Sequence, residues 1–333
     1  MKFMIAIAAF SLIVLVHELG HFLAARYFKV KVKNFSVGLG PILLSFSSGD
    51  TLFCLRAVPL GGFVDIDGME EDSRFGFNIR PYYQKVLILF AGVFMNIILS
   101  FVAMFSISMY LGHIDETSNI ITRSLSSEAI LKVDDKVVEV NGKKIDNWRE
   151  FEDKIGDSEQ KFVVKVIREG KEKEIEIKPE ERVNLLFFSV PAKRSIYLSL
   201  KKASKAIVMG FIRSSNVITR VLQKKIRVEE LSGPIGIMKT MADSSSQSMI
   251  NIFILISMIS IGIAFFNLLP IPPLDGGKIF LVTLDRLGIK LSKKLKDLIS
   301  AIGVILFLVL TIIVGKSDIN KIRKESANSS SKR

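Results

Sequence analysis

Two histidines and a glutamate near the amino terminus have the types and spacing needed for metal-assisted hydrolysis. They lie in the motif His17-Glu18-Leu19-Gly20-His21, which follows an apolar run over residues 3–16. Histidines four positions apart stand on one face of a helix, so both imidazoles can reach a single zinc ion. The glutamate beside the first histidine can hold a water molecule and take its proton. The motif therefore predicts a zinc site with Glu18 as its general base.

A carboxylate in a second apolar setting is a further candidate. Asp275 lies in the run Asn267-Leu268-Leu269-Pro270-Ile271-Pro272-Pro273-Leu274-Asp275-Gly276-Gly277. Prolines and glycines at the end of a membrane helix are tolerated where the broken backbone packs in protein or lines a cavity. A charged side chain at membrane depth is costly, which makes Asp275 a functional candidate. The alternative is a helix cap just outside the bilayer.

Four apolar stretches can position these residues. Residues 3–25, 86–111, 249–269 and 298–315 are each close to the roughly 20 residues that a helix needs to cross a bilayer. The first stretch also has features of a secretory signal, but it is long for one, and cleavage would discard the metal motif. We therefore predict a polytopic α-helical membrane protein with about four transmembrane helices.

The charge and cysteine content exclude some classes of protein. The net charge is +13, yet the basic residues are spread over all polar segments and form no basic module with interspersed aromatic residues. Attraction to a membrane surface is therefore predicted, and nucleic acid is not. Cys54 is the single cysteine, which excludes an intrachain disulfide and leaves the redox compartment open.

The first predicted domain, residues 1–112, is a membrane domain that contains a glycine- and proline-rich segment. That segment, residues 35–67, predicts a membrane-associated β-hairpin with strands over 42–46 and 51–57. An unpaired edge of the hairpin can receive an extended peptide as an added strand. Charge or proline in residues 51–57 is therefore expected to impair the addition of such a peptide without loss of zinc. The alternative is an ordinary surface hairpin.

Residues 113–190 predict one inserted β-rich, water-soluble domain. Asn141-Gly142 and Glu169-Gly170 predict tight turns between strands. Asn147 and Glu150 have the spacing of a capping box at the start of a short helix.

The remaining chain predicts three segments. Residues 191–248 form an amphipathic interfacial segment, with a weak extra span as the alternative. Residues 249–315 form a C-terminal membrane domain that carries Asp275, and residues 316–333 form a basic disordered tail. Asn96, in the second span, is expected to bond a partner across a helix interface, with a substrate contact as the alternative.

Basic residues predict the orientation of the chain. Arg26, Lys29, Lys31 and Lys33 follow the first span directly. Positive charge in short loops favours the cytoplasm, so the metal motif is predicted toward the cytoplasmic side and the soluble domain on the extracytoplasmic side. Four spans would place the basic tail outside, against the same tendency, and its side is left open.

Taken together, the motifs resemble the site-2 protease family of intramembrane zinc metalloproteases, particularly the bacterial regulator of sigma-E protease branch. The histidine motif matches the first family signature, and residues 267–276 match the family's NxxPxxPLDG pattern. Gly233-Pro234-Ile235-Gly236 matches a shorter third element. Residues 91–96 resemble AGPxxN, with Val93 where proline is usual. The matches extend to about residue 315.

The resemblance implies specific roles. His17, His21 and Asp275 would be the zinc ligands, Glu18 the catalytic base and Asn267 a substrate-binding residue. A catalytic zinc site also generally needs three protein ligands and one open position. The implied activity is hydrolysis of peptide bonds in or near transmembrane segments, in a multi-pass protein of the bacterial inner membrane. Implied substrates are membrane-anchored proteins such as anti-sigma factors, cut in regulated intramembrane proteolysis, or signal-peptide remnants.

The soluble segment resembles the family's PDZ domain. Residues 131–142 stand in place of LxxGDxIxxING, with Asp134 where glycine is usual. The resemblance implies either binding of peptide termini or a size filter above the cleft. One rival reading is a PDZ-bearing membrane scaffold without proteolysis. Another is a soluble-type zinc protease tethered by its amino terminus, but His113 is the only other histidine available to it.

Overall fold

The computed structural model describes residues 2–69, 71, 73–124, 130–155, 161–177, 189–223, 233–245, 249–289 and 291–330 of the 333-residue chain. The chain divides into two compact units. One comprises residues 1–104 and 204–333, and the other comprises residues 105–203. All the predicted zinc-site residues belong to the first unit.

Helices dominate the part of the chain that the structure describes. They are α1 (Lys2–Tyr27), α2 (Tyr82–Leu111), α3 (Trp148–Ile155), α4 (Ile196–Leu222), α5 (Pro234–Ser245), α6 (Met249–Asn267), α7 (Asp275–Arg286) and α8 (Lys293–Ser330). Among these described helices, four are long and apolar enough to cross a membrane, and they coincide with the predicted spans: Met4–Tyr27, Tyr82–Leu111, Ile250–Asn267 and Lys293–Asn320. Helix α4 is not among these four described helices.

Helix α1 ends in a turn that redirects the chain. Lys29 has a φ of 56°, in the left-handed region, and the Val30 N–H donates to the Ala25 carbonyl at 2.8 Å. Such a left-handed residue after the last turn satisfies carbonyls that have no helical partner. The chain therefore leaves the helix at a defined angle, directly into the first strand.

Apolar contacts hold α1 near both of its ends. A first cluster joins its amino-terminal half to helices α5 and α6, through Ala6, Ala9, Ile13, Met241, Ile252 and Ile256. A second cluster surrounds its carboxyl-terminal end, through Ala25, Val30, Val32, Ile66, Phe77, Ile88 and Leu89. The zinc motif lies between the two clusters. Packing at both ends of α1 therefore fixes where the helix holds the motif in the protein.

The predicted hairpin is present and is longer than expected. Strand β1 (Val32–Ser48) and strand β2 (Thr51–Ile66) pair antiparallel around a turn at Gly49-Asp50. Large apolar side chains remain exposed on the part of the sheet near the turn, namely Leu39, Ile42, Leu43, Leu44, Phe46, Leu55 and Val58. An exposed apolar surface of this kind favours contact with a membrane over a surface hairpin in water.

The register of the hairpin corrects one prediction. Residues 52–55 lie opposite residues 44–47 and also opposite residues 34–37, so they are paired on both sides. The prediction that the receptive edge lies in residues 51–57 is therefore wrong. Residues 62–66 pair with residues 32–37 alone among the described strands, which makes them an outer edge of the sheet. Both strands bend back on themselves, and spacing alone does not reveal such bends.

The second unit is a small β-rich structure. It contains β3 (His113–Ile114), β4 (Arg123–Ser124), β5 (Lys136–Val140), β6 (Lys143–Lys144), β7 (Phe162–Arg168), β8 (Lys171–Ile177), β9 (Ser189–Val190) and β10 (Ala192–Lys193). Strands β6, β5, β7 and β8 form an antiparallel sheet in that order, β4 pairs with β9, and β3 pairs with β10. Helix α3 buries Trp148, Phe151 and Ile155 in the core of this unit.

Local sequence signals in this unit are confirmed. Asn141-Gly142 and Glu169-Gly170 all have positive φ, as tight hairpin turns require. The Glu150 N–H donates to Asn147 Oδ1 at 3.0 Å, which is the predicted helix cap. Asp134, which stands where the PDZ pattern has glycine, has a φ of 71°. Residues 125–129, upstream of Asp134, lie outside the described residues.

The carboxyl-terminal segment differs from the prediction of a disordered tail. Helix α8 continues without a break from Lys293 to Ser330, and residues 331–333 lie outside the described part. Extending an existing helix adds one hydrogen bond per residue and needs no new nucleation. Polar composition alone therefore did not exclude helix over residues 316–330.

Candidate metal centre

Three side chains that are distant in the sequence meet with nearly equal spacing. The Nε2 atoms of His17 and His21 are 3.3 Å apart, and they lie 3.2 Å and 3.3 Å from Asp275 Oδ2. Each residue is less than a tenth exposed. The three atoms thus form an almost equilateral triangle inside the protein.

This triangle has the dimensions of one face of a zinc coordination sphere. Zinc bonds of about 2.0–2.1 Å at tetrahedral angles place neighbouring ligand atoms about 3.3 Å apart. Within the described ranges, these three residues are the one group of His, Cys, Asp or Glu side chains whose atoms converge in this way. Three ligands on one face leave a fourth position free, as catalytic zinc sites do.

Hydrogen bonding prepares His21 to bind a metal. Its Nδ1 lies 2.8 Å from the carbonyl oxygen of Ile88 in α2. Because a carbonyl only accepts, Nδ1 carries the proton, and the Nε2 of a neutral imidazole keeps a free lone pair. The same arrangement orients metal-binding histidines in many proteins.

Asp275 is not a helix cap. It is the first residue of α7, and the capping position is Leu274, which makes no side-chain capping bond. Asp275 Oδ2 is buried and has no conventional hydrogen-bond partner besides the two imidazoles beside it. A buried carboxylate oxygen that faces two imidazole nitrogens requires a cation or a proton between them. The helix-cap alternative is therefore wrong.

The three side chains open into a cavity of about 550 Å³, which also contains the other predicted site residues. Glu18 and Asn267 line it, as do residues 63–66 of β2. A Cβ built on Gly62 would stand 3.4 Å from Glu18 Cγ, so the β2 backbone passes close to the glutamate. The structure thus brings the candidate base, the candidate ligands and a free strand edge to one cavity.

The cavity is also lined by lysine side chains that the sequence motifs did not identify. Lys278, three residues after Asp275, lines it, and so does Lys33. Lys33 Nζ lies 3.2 Å from Asp67 Oδ1, and the Ser73 hydroxyl donates to Asp67 Oδ2 at 2.6 Å. The Ser73 hydroxyl bond and the Lys33 charge hold the pKa of Asp67 below its ordinary value. Lys33 and Lys278 thus make part of the cavity lining polar.

Asn96 lies behind the first histidine. Its side chain is fully buried, and its Nδ2 lies 3.3 Å from His17 Nδ1. Its backbone carbonyl accepts a hydrogen bond from the Ser260 hydroxyl at 2.9 Å. The sequence predicted a partner across a helix interface, and that partner is one of the candidate ligands.

The third motif is held by a residue that the sequence analysis missed. Asp318, in α8, is 2% exposed, and its Oδ2 accepts the N–H groups of Gly233 at 3.0 Å and Gly236 at 2.8 Å. These groups belong to Gly233-Pro234-Ile235-Gly236, at the start of α5. Because the composition of residues 316–333 suggested disorder, the sequence analysis did not identify Asp318 as a buried carboxylate at the amino terminus of α5.

Comparison with known proteins places these features in a family context. The profile described as peptidase family M50 matches residues 5–310. A Fusobacterium nucleatum protein named as a zinc metalloprotease is 36% identical over 345 residues, covering 97% of this chain and 99% of the relative. Similarly named proteins of Clostridium acetobutylicum and Helicobacter pylori J99 are 28% and 27% identical, over 95% and 94% of this chain and 96% and 97% of the relatives.

Proposed function

The chain belongs to peptidase family M50, the site-2 protease family, and on that premise we propose that it is an intramembrane endopeptidase. It is a multi-pass membrane protein and a zinc metalloprotease. The proposed reaction is hydrolysis of peptide bonds within or beside the transmembrane segments of membrane-anchored proteins. The observation that carries the proposal is the triangle of ligand atoms from His17, His21 and Asp275, opening into a cavity beside apolar helices.

The proposed roles follow from the positions of the side chains. His17, His21 and Asp275 would hold the zinc ion through the three converging atoms. Zinc held there supplies Lewis-acid activation of a water molecule and of the scissile carbonyl. Glu18 accepts the proton of the attacking water and then delivers it to the leaving amine. Glu18 directly follows His17 and lines the same cavity as the three candidate ligands, which supports this role.

The cavity also supports a way of presenting the substrate. Peptide carbonyls in a helix are hydrogen-bonded within the helix, so a transmembrane substrate must unwind before it can be cut. Residues 63–66 offer a strand edge inside the cavity, where an extended substrate can add as a further strand. Asn267, at the carboxyl end of α6, faces the same space and is proposed to hold the bound segment.

We also propose a location and a substrate selectivity for the protein. We place the protein in the bacterial inner membrane, with the active site toward the cytoplasmic side of the membrane and the β-rich unit on the extracytoplasmic side. The left-handed Asp134 and the antiparallel sheet support a PDZ-like fold for that unit. Such a module would bind peptide termini or exclude large ectodomains. Anti-sigma factors and signal-peptide remnants fit this selectivity, and proteolysis of them would be regulated by prior trimming.

The test is zinc content and cleavage measured on the same purified samples in lipid vesicles. The wild type is expected to bind about one zinc ion through His17, His21 and Asp275 and to cut a transmembrane peptide. Glu18→Gln should keep the zinc and lose about 10²- to 10⁴-fold in rate, the usual contribution of a general base. Asp275→Ala should lose both the cleavage activity and the zinc. Asp297→Ala, which removes an exposed carboxylate from α8, is the control.

Two results would count against the proposal. Cleavage by Glu18→Gln at the wild-type rate would show that Glu18 is not the general base. A wild type that cuts soluble peptides but spares every membrane-embedded one would retain the zinc chemistry and refute the intramembrane assignment. If the protein were a scaffold without proteolysis, it would cut neither soluble nor membrane-embedded peptides, although Glu18 and the three candidate zinc ligands are all in place.

A further inference from the structure

We infer that Asn96 is a positioning residue for zinc, and that it accepts a hydrogen bond from His17 Nδ1 through its side-chain oxygen. The contact itself is short: an Asn96 side-chain atom lies 3.3 Å from His17 Nδ1, across the packed interface of α1 and α2. The inference rests on zinc binding by His17 and not on the identity of the substrate.

The amide orientation follows from counting donors and acceptors. With Nδ2 toward His17, Nδ1 must accept, and the proton of a neutral imidazole then sits on Nε2. That nitrogen is the atom 3.2 Å from Asp275 Oδ2, where a zinc ligand needs a free lone pair. The orientation with Nδ2 inward is therefore incompatible with zinc at this site.

Exchanging the amide oxygen and nitrogen of Asn96 gives the orientation that zinc binding by His17 requires. Asn96 is fully buried, and its Oδ1 has no hydrogen-bond partner. The oxygen and nitrogen of an amide are nearly the same size, so exchanging them changes no packing. The exchange places Oδ1 against His17 Nδ1–H and frees Nε2 for the metal.

The result is a matched pair of histidines. His21 Nδ1 donates to the Ile88 carbonyl, and His17 Nδ1 donates to the Asn96 amide oxygen. Both acceptors belong to α2, so that helix sets the orientation of both imidazoles on α1. The Ser260 hydroxyl, which donates to the Asn96 backbone carbonyl, ties the same position of α2 to α6. Outer hydrogen bonds of this kind change metal affinity by about 10- to 100-fold.

Three variants separate this role from simple packing. Asn96→Leu keeps the approximate size of the side chain and removes the acceptor, and we expect zinc affinity to fall about 10- to 100-fold. Asn96→Asp keeps an oxygen toward His17 and should stay within about threefold of the wild type, because carboxylates also serve this role. Ser100→Ala is the matched control, since it removes a buried α2–α6 bond, between Ser100 and Ser257 Oγ at 2.7 Å, away from the histidines.

Zinc affinity is measured by competition with a chelator on full-length protein in detergent, without any proteolysis assay. Loss in Asn96→Leu, with retention in Asn96→Asp and Ser100→Ala, supports the inference. Wild-type affinity in Asn96→Leu overturns it. Equal losses in Asn96→Leu and Asn96→Asp also overturn it, because they indicate a contact made by the amide nitrogen.

A spectroscopic measurement on the wild type keeps the inference testable if a variant does not fold. The chain has three histidines, so nitrogen-15 histidine labelling yields few signals. We expect the zinc-loaded protein to show two histidines protonated at Nδ1 and metal-bound at Nε2. A His17 that lacks the Nδ1 proton would overturn the inference, even in a protein that binds zinc and cuts its substrate.

Discussion

Gly92 lies directly against His21. A Cβ built on Gly92 would stand 2.3 Å from His21 Nε2 and 2.8 Å from His17 Cε1, which is closer than atoms can pack. The imidazole cannot simply move away, because His21 Nδ1 is bonded to the Ile88 carbonyl and Nε2 faces Asp275. Helix α2 therefore approaches the metal centre at a position where a side chain would displace a ligand.

This contact predicts the effect of adding one methyl group. Alanine is better than glycine in a helix by about 1 kcal/mol, so Gly92→Ala would favour α2 if space allowed it. We expect zinc affinity to fall at least about tenfold instead, because the ligand atoms must match the zinc distances within about 0.2 Å. Chelator competition measures this loss. The control is Gly262→Ala in α6, where a new Cβ meets no atom within 4 Å.

The outer edge of β2 predicts a substrate-binding effect that leaves zinc unchanged. Successive residues of a strand alternate the direction of their N–H groups, so either Phe63 or Val64 directs its N–H into the cavity. Proline at whichever of these two residues directs its N–H into the cavity removes a hydrogen-bond donor. It should raise the KM for a transmembrane peptide by about fivefold to tenfold. Leu43→Pro, in an exposed segment that does not line the cavity, is the control. Wild-type KM in both Phe63→Pro and Val64→Pro would contradict strand addition.

The Asp318 carboxylate predicts a stability effect at the third motif. Asp318→Ala leaves the buried N–H group of Gly233 and the partly buried N–H group of Gly236 without their acceptor, which should cost about 1–3 kcal/mol. Asp318→Asn keeps one oxygen and should recover part of that loss. Thermal unfolding in detergent measures both variants against Asp297→Ala, an exposed change in α8 that should lie within about 0.5 kcal/mol of the wild type. An equal Tm for Asp318→Ala and Asp297→Ala would be inconsistent with this role.

His113 predicts a pH dependence of the unit formed by residues 105–203. Its Nε2 lies 3.1 Å from the buried Ser199 hydroxyl, and burial, followed by the Lys202 charge, lowers the His113 pKa. The unfolded chain, with an ordinary histidine pKa of about 6.5, then binds more protons than the folded chain. Stability should therefore fall as the pH drops below about 6.5.

The matched variant is His113→Gln, which retains a polar side chain but does not titrate. Its Tm should change less than that of the wild type between pH 7.5 and pH 5.5. Because zinc release at low pH affects both proteins alike, the difference between their slopes isolates His113. Parallel slopes would show that this histidine does not contribute.

Signals carried by neighbouring residues were predicted correctly. The spacing of His17 and His21 places both on one face of α1, because a helix repeats every 3.6 residues. Asn147 and Glu150 cap α3 as expected, since capping involves residues only three positions apart. The four apolar helices follow from composition and length alone.

Residues 35–67 show where local reasoning stops. Their glycines and prolines predicted a hairpin, but the strand that faces the cavity is 62–66 and not 51–57. Each strand pairs with two segments of the other, and a one-dimensional pattern does not specify which segment is outermost. The same limit applies to residues 316–330, where α8 continues because helix extension outweighs a polar composition.

By itself, the sequence determined the chemistry available to this protein: two histidines and a glutamate on one helix, a distant aspartate, and apolar helices to hold them. Only the tertiary structure decided that Asp275 completes an equal-sided triangle with the histidines, that Asn96 contacts His17, and that Gly92 leaves them room. The physical reason is separation along the chain. Periodicity describes residues within one helix or strand, whereas these contacts join different helices and depend on how closely those helices pack.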